Sequence, residues 1–271
     1  MKKLLSIIIL ITATYSIEFT TSKGTYNIKA GMLGIYGTLS TDVNIYSLKE
    51  PKYKLDNNWF YGYDISIYNS QSLIKVEELI NDFFPIDIAH KISGIDINLQ
   101  AGKDIYREDD GSIGVSVVTG VSMPWIDTEI TKEIISNLWD LSQNTETSLY
   151  TYKLGVGANM EKKIYHNISI GARGVYAYQT GTIENDIINS SFEANGVYKE
   201  LDLSIIGINK QNLDLGIITL PANIYTTLGY RYKSWVLDDI NIDILGIGMG
   251  FSVGDFDMSS DEVYLGVGYK F

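Results

Sequence analysis

Side chains capable of acid–base, nucleophilic or metal chemistry are few in this chain of 271 residues. It has two histidines, His90 and His166, and no cysteine. Without cysteine there is no thiolate nucleophile, thiolate zinc site, disulfide or lipidated N-terminal cysteine. His166 and Ser169 come nearest to a base–nucleophile pair in the text. They stand three apart, which on a strand sends them to opposite faces. Asp238-Asp239 is an acid pair with no histidine close in sequence, although folding could deliver His90 to it; on its own it reads as a solvated turn. Asp255, Asp257, Asp261 and Glu262 are expected in the last loop, and Glu108, Asp109 and Asp110 in another. Oxygen-rich loops can hold calcium, but neither spacing matches a calcium-loop motif. Gly155-Val156-Gly157 and Gly246-Ile247-Gly248 open no helix and so make no dinucleotide site. The reading is of a chain that is not an enzyme, with no catalytic, cofactor-binding or metal-binding residue to name; a hydrolase is the weakest of the alternatives.

The segments that would hold such groups in place begin with an export signal. Met1-Lys2-Lys3 leads into an apolar run from Leu4 to Ala13, followed by Thr14-Tyr15-Ser16. A basic start, an apolar run of about 10 residues and a small-residue exit make a secretory signal, since a spanning helix needs roughly 20. Cleavage is expected after Ser16, giving a signal peptide over 1–16 and one domain over 17–271, with no Pro/Gly/Ser linker to divide it. Processing removes two lysines from a formal net charge of −12. Nucleic acid is therefore not an expected partner.

From about residue 25 onward the chain alternates with period two, in segments of roughly ten residues closed by polar turn residues. Trp59, Tyr61, Tyr63, Ile65 and Ile67 share one face, against Asn58, Gly62, Asp64 and Ser66. Ile113, Val115, Val117, Val121 and Met123 oppose Ser112, Gly114, Ser116, Gly120 and Ser122. The pattern recurs from Tyr150 to Met160, from Ile168 to Tyr178 against Ser169, Gly171 and Arg173, and from Ile224 to Tyr232 against Thr227, Arg231 and Lys233. One face is greasy; the other is small, polar or charged. A soluble β-sandwich also alternates. Aromatics gathered at strand ends and glycines crowded on the polar face tilt the reading to a transmembrane barrel. Asp64, Asp104, Arg173, Arg231 and Lys233 then become lumen charges.

The chain closes with Val263, Leu265, Val267, Tyr269 and Phe271 alternating with Glu262, Tyr264, Gly266, Gly268 and Lys270. Leu265, Val267, Tyr269 and Phe271 resemble, position by position, the C-terminal β-signal of bacterial outer-membrane β-barrel proteins. The resemblance covers the final strand alone. It implies a Gram-negative outer-membrane location, lipid as the surrounding partner, and recognition of that strand by the barrel-assembly machinery. Some barrels of this class are hydrolases. Their deacylase motif places histidine and serine two apart, and their proteases need paired aspartates with a further Asp–His pair. The chain departs from both.

The fold expected is all-β, a transmembrane antiparallel up-and-down barrel of about 12 strands, with 10 as the alternative. The weaker segments Val43 to Leu48 and Leu213 to Thr219 raise the count to 12, because barrels of this kind keep short turns on the periplasmic side and long loops outside. Two helical insertions are expected near 71–84 and 126–141, from the stripes Leu73, Val76, Leu79, Ile80 and Ile130, Ile134, Leu138, Leu141. Three function classes follow: a porin-like passive channel for small solutes, a structural or surface-interaction barrel with a filled lumen, and a barrel hydrolase.

Overall fold

A computed structural model describes residues 16–32, 35–70, 74–75, 87–131, 144–185, 190–214, 219–242 and 251–270. Ten long strands follow one another: β1 (Ser16–Met32), β2 (Ile35–Lys54), β3 (Trp59–Ser70), β4 (Asp87–Glu108) and β5 (Gly111–Thr131). The second half is β6 (Asn144–Tyr165), β7 (Ile168–Asn185), β8 (Ser190–Ile208), β9 (Ile224–Ile242) and β10 (Phe251–Lys270). Each pairs antiparallel with its sequence neighbours, and β10 pairs with β1 from Ser16↔Lys270 to Met32↔Gly254. The sheet therefore closes on itself as a barrel of ten strands, with β3, the shortest, pairing with β2 from Val43 onward.

The count is ten and not twelve. Val43 to Leu48 is a full part of β2, whereas Leu213–Asp214 and Thr219–Leu220 pair only with each other, in the connection between β8 and β9. With β2 counted as a strand, three strands precede the connection 71–86, so it already lies at the end opposite the termini. The topological argument for two extra strands then loses its premise. The termini share their end with the turns at 55–58, 109–110 and 166–167, where Asn57 and Asn58 take positive φ.

Helical insertions are also corrected. Among the described residues the single helix is the 3-10 turn Asp56–Asn58. Residues 126–131 continue β5, and Ile74–Lys75 pair with His90 and Ala89 on β4. The remainder of both stretches lies outside the described residues. Ile126, Ile130 and Ile134 are spaced by four, which places them on one face in a strand as well as in a helix. The two acidic motifs are not loops either: Asp238-Asp239 sits at a register shift inside β9, and Asp255 to Glu262 belongs to β10, while Asp109-Asp110 is the expected turn.

The strands run from 12 residues in β3 to 22 in β4 and β6. About 9–11 tilted residues suffice to cross a bilayer core. The wall is therefore taller than the core it would cross.

Candidate functional site: the lumen

Along every strand the side chains divide between an outer wall and an interior. The outer wall carries Val117, Leu154, Val156, Val263 and Leu265, each 58–63% exposed. Trp59, Tyr106 and Tyr165 face outward near the turns, and Tyr46, Tyr152, Tyr176, Tyr178 and Tyr230 farther along. Beyond them the outer face turns polar at Lys23, Asp42, Lys91, Asp127 and Glu193. Inside, the order is reversed: Glu18, Asp64, Asp96, Lys153, Arg231, Lys233 and Glu262 are all 3% exposed or less. A soluble fold hides its apolar face and wets its charges, so a belt of bare aliphatics closed around buried ions belongs in hydrocarbon. This is the architecture of a membrane-spanning β-barrel.

The interior has two layers. Toward the end opposite the termini, rings and aliphatics from facing walls meet and fill the lumen. Tyr26 of β1 stacks on Tyr68 of β3 with centroids 4.8 Å apart and on Trp235 of β9 at 6.1 Å, and Tyr198 of β8 lies 5.5 Å from Trp235. Ile28, Val43, Ile45, Val118, Leu237 and Met258 complete this layer. Tyr68 can lie flat because Gly94 faces it: a Cβ there would stand 2.4 Å from the Tyr68 hydroxyl.

Beneath that layer lies a band of ion pairs. Asp96 of β4 takes Lys153 Nζ at 2.5 Å on Oδ1 and Lys233 Nζ at 2.8 Å on Oδ2, and also accepts from Ser122 Oγ and Asn98 Nδ2. Trp235 Nε1 donates to Ser122 Oγ at 2.9 Å, tying the band to the rings. Arg231 reaches Asp64 at 3.0 Å, Asp202 at 2.9 Å and Glu262 at 3.5 Å; Arg173 binds Glu200 at 2.8 Å. Paired in this way, the charges meet the requirement that buried ions have partners.

Of the five sequence-derived lumen charges, Asp64 and Arg231 meet, Arg173 and Lys233 join the band through Glu200 and Asp96, and Asp104 stands apart near the turns with Lys52 and Arg107. Sequence reasoning passed over Asp96, Lys153, Glu200 and Asp202, and read Glu262 as part of a loop cluster rather than as a lumen charge. The signal for them was parity: Lys153 falls between Tyr152 and Leu154, and Asp202 between Leu201 and Leu203. Leu265 and Val267 face outward, Tyr269 is half-buried, and Phe271 lies outside the described residues. His166 is exposed in its turn with its ring edge on Tyr165, whereas Ser169 lines the lumen; the His90 side chain lies outside the described residues. Among the described residues no group of three or more histidines and acids is placed to hold a metal ion. At the turns, outside the membrane-crossing stretches, a hydrogen bond from Lys162 holds the exposed Asp110 carboxyl below the usual carboxylate range.

No family model and no curated protein matches the chain. Solved structures similar to it include the Pseudomonas putida toluene transporter TodX, at 9% identity over 96% of this chain and 90% of that one, with a TM-score of 0.35. The translocator domain of the autotransporter NalP from Neisseria meningitidis is 11% identical over 100% and 94%, at 0.38. Neisserial surface protein A is 12% identical over 93% and 97%, at 0.28. Values this low decide nothing for this chain; its barrel rests on its own ring of paired strands.

Proposed function

We propose that this protein is a sealed barrel of the Gram-negative outer membrane, a structural or surface-interaction protein rather than an open conduit. One observation carries the reading: Tyr26, Tyr68, Tyr198, Trp235 and Met258, from five strands, meet inside the lumen at 0–2% exposure. Ions or solutes crossing the barrel would have to displace that layer and then dehydrate beside Asp96, Lys153 and Lys233. A barrel of about this size is nearly filled by its own side chains. The short turns at 55–58, 109–110 and 166–167 mark the periplasmic end, which puts the opposite rim of the barrel at the cell surface. The signal peptide is read over 1–16, its last residue Ser16 coinciding with the first of β1, and Leu265, Val267, Tyr269 and Phe271 are read as the assembly signal.

Planar-bilayer recording tests the seal. The refolded full-length barrel is expected to give a quiet baseline. Reproducible unit conductance steps from correctly folded protein would overturn the sealed reading in favour of the passive channel.

A further inference from the structure

Below the ionic band the lumen opens into a cavity of about 420 Å³, reached from the end that holds the termini and the short turns. Most of the charges lining it are committed to one another. Lys52 is held by Asp104 at 2.5 Å, Arg231 by Asp64 and Asp202, and Lys49 lies over the Tyr264 ring between Glu18 and Asp202.

Eight side chains lining the cavity keep a buried atom without a hydrogen-bond partner. Those of Glu18, Asp64 and Arg231 are engaged in ion pairs, which leaves Glu50 Oε2, Tyr63 Oη, Asn159 Nδ2, Arg173 Nε and Thr227 Oγ1. Glu50 is 5% exposed, Tyr63 6% and Asn159 7%, so solvent serves these groups poorly. Buried polar atoms are costly to leave unmatched. Their arrangement has a direction. Glu50 on β2 stands beside Glu18 of β1 and Tyr63 of β3, with Tyr225 of β9 farther round, whereas Asn159 on β6 and Arg173 on β7 stand four and five strands from β2. The lysines Lys49, Lys52 and Lys54 on the β2 side are engaged by Glu18, Asp104 and Glu161, so the groups left open there are Glu50 and the tyrosine rings, and those left open on the far side are Asn159 and Arg173. Nη1 of Arg173 is occupied by Glu200, which leaves its Nε edge for a second anion.

We propose that this cavity binds a small zwitterion of the amino-acid or dipeptide type. Its ammonium lies against Glu50, Glu18 and the two tyrosines, and its carboxylate against Arg173 and Asn159. Carboxylates and aromatic faces together suit a cationic group, and a guanidinium edge beside an amide suits a carboxylate. The volume falls within the usual range for small-molecule sites. This inference concerns the open end of the lumen and does not depend on whether the far end is sealed.

Isothermal titration calorimetry on the refolded full-length barrel in detergent micelles tests it, with alanyl-alanine as the probe. Two capped analogues serve beside it, N-acetyl-alanyl-alanine without the ammonium and alanyl-alanine amide without the carboxylate. Saturable binding of the dipeptide is expected, at least tenfold weaker for either analogue. Glu50→Gln should weaken the dipeptide and leave the acetylated analogue where it was; Asn159→Ala should weaken the dipeptide and spare the amide. No saturable heat with the dipeptide, or equal binding of all three probes to the unsubstituted barrel, would overturn the proposal without reference to any variant. The same preparation examined for conductance reports on the seal separately.

Discussion

Trp235 on β9 donates its indole N–H to Ser122 Oγ on β5 at 2.9 Å, and that hydroxyl in turn donates to Asp96 Oδ1 at 2.5 Å. The largest buried side chain of the lumen is thus fastened through one serine to the carboxylate that two lysines share. Truncation by Trp235→Ala removes the ring and frees the serine, and is expected to cost about 3–5 kcal/mol. Trp235→Phe keeps most of the volume and loses the hydrogen bond, at about 1 kcal/mol. Urea titrations of the refolded barrel, followed by tryptophan-independent gel mobility, should rank the two in that order. Equal midpoints would mean that the ring layer does not hold the interior together.

Asp96 neutralises Lys153 and Lys233 at once. Asp96→Asn should therefore leave two buried ammonium groups facing each other, a loss of about 3–5 kcal/mol. Adding Lys153→Met to that variant removes one of the stranded charges and should recover part of the loss. A double variant no more stable than the single one, by the same urea titration, would show that the pair is not coupled as its distances indicate.

Face decides the tolerance of charge. Val117 is 58% exposed on the outer wall, whereas Ser169 lines the cavity. A lipid-facing Arg near the bilayer midplane costs about 2–4 kcal/mol. Val117→Arg should lower folding yield into lipid vesicles well below that of Ser169→Arg. Comparable yields would reverse the assignment of faces on β5 and β7.

Phe271→Ser tests the assembly signal. Leu265 and Val267 already serve the lipid face, so the proposed work of the terminal aromatic is recognition during insertion. The variant should accumulate unfolded in the periplasm, while refolding in vitro should match the parent within a few tenths of a kcal/mol. Normal outer-membrane levels by cell fractionation would remove Phe271 from that role.

How much was legible follows from what a strand writes into its sequence. Period-two parity gave the inward position of Arg231 and the outward position of Leu228 without any knowledge of neighbours. It could not give partners. Lys233 and Asp96 stand 137 residues apart, and their meeting depends on the register of every strand between them. Parity was also blind to the difference between β2 and the short Leu213–Thr219 pairing, because both stretches alternate and only the first finds a neighbour on each side. The acid pair Asp238-Asp239 was misplaced for a related reason: a bulge interrupts alternation inside a strand and reads like a turn.

The barrel closes between β1 and β10, the first and last strands made, and the ionic band draws on both halves of the chain: Ser22 to Glu262, Lys233 to Asp96, Tyr264 to Asp202. Until that seam is zipped, these carboxylates and ammonium groups face water on an open, curved sheet. An unclosed sheet entering the bilayer would press naked charge against acyl chains, at several kcal/mol for each unpaired group. Pairing of the two end strands therefore shelters every one of these charges at a single seam, and the cost of meeting lipid unpaired falls on any barrel left open there.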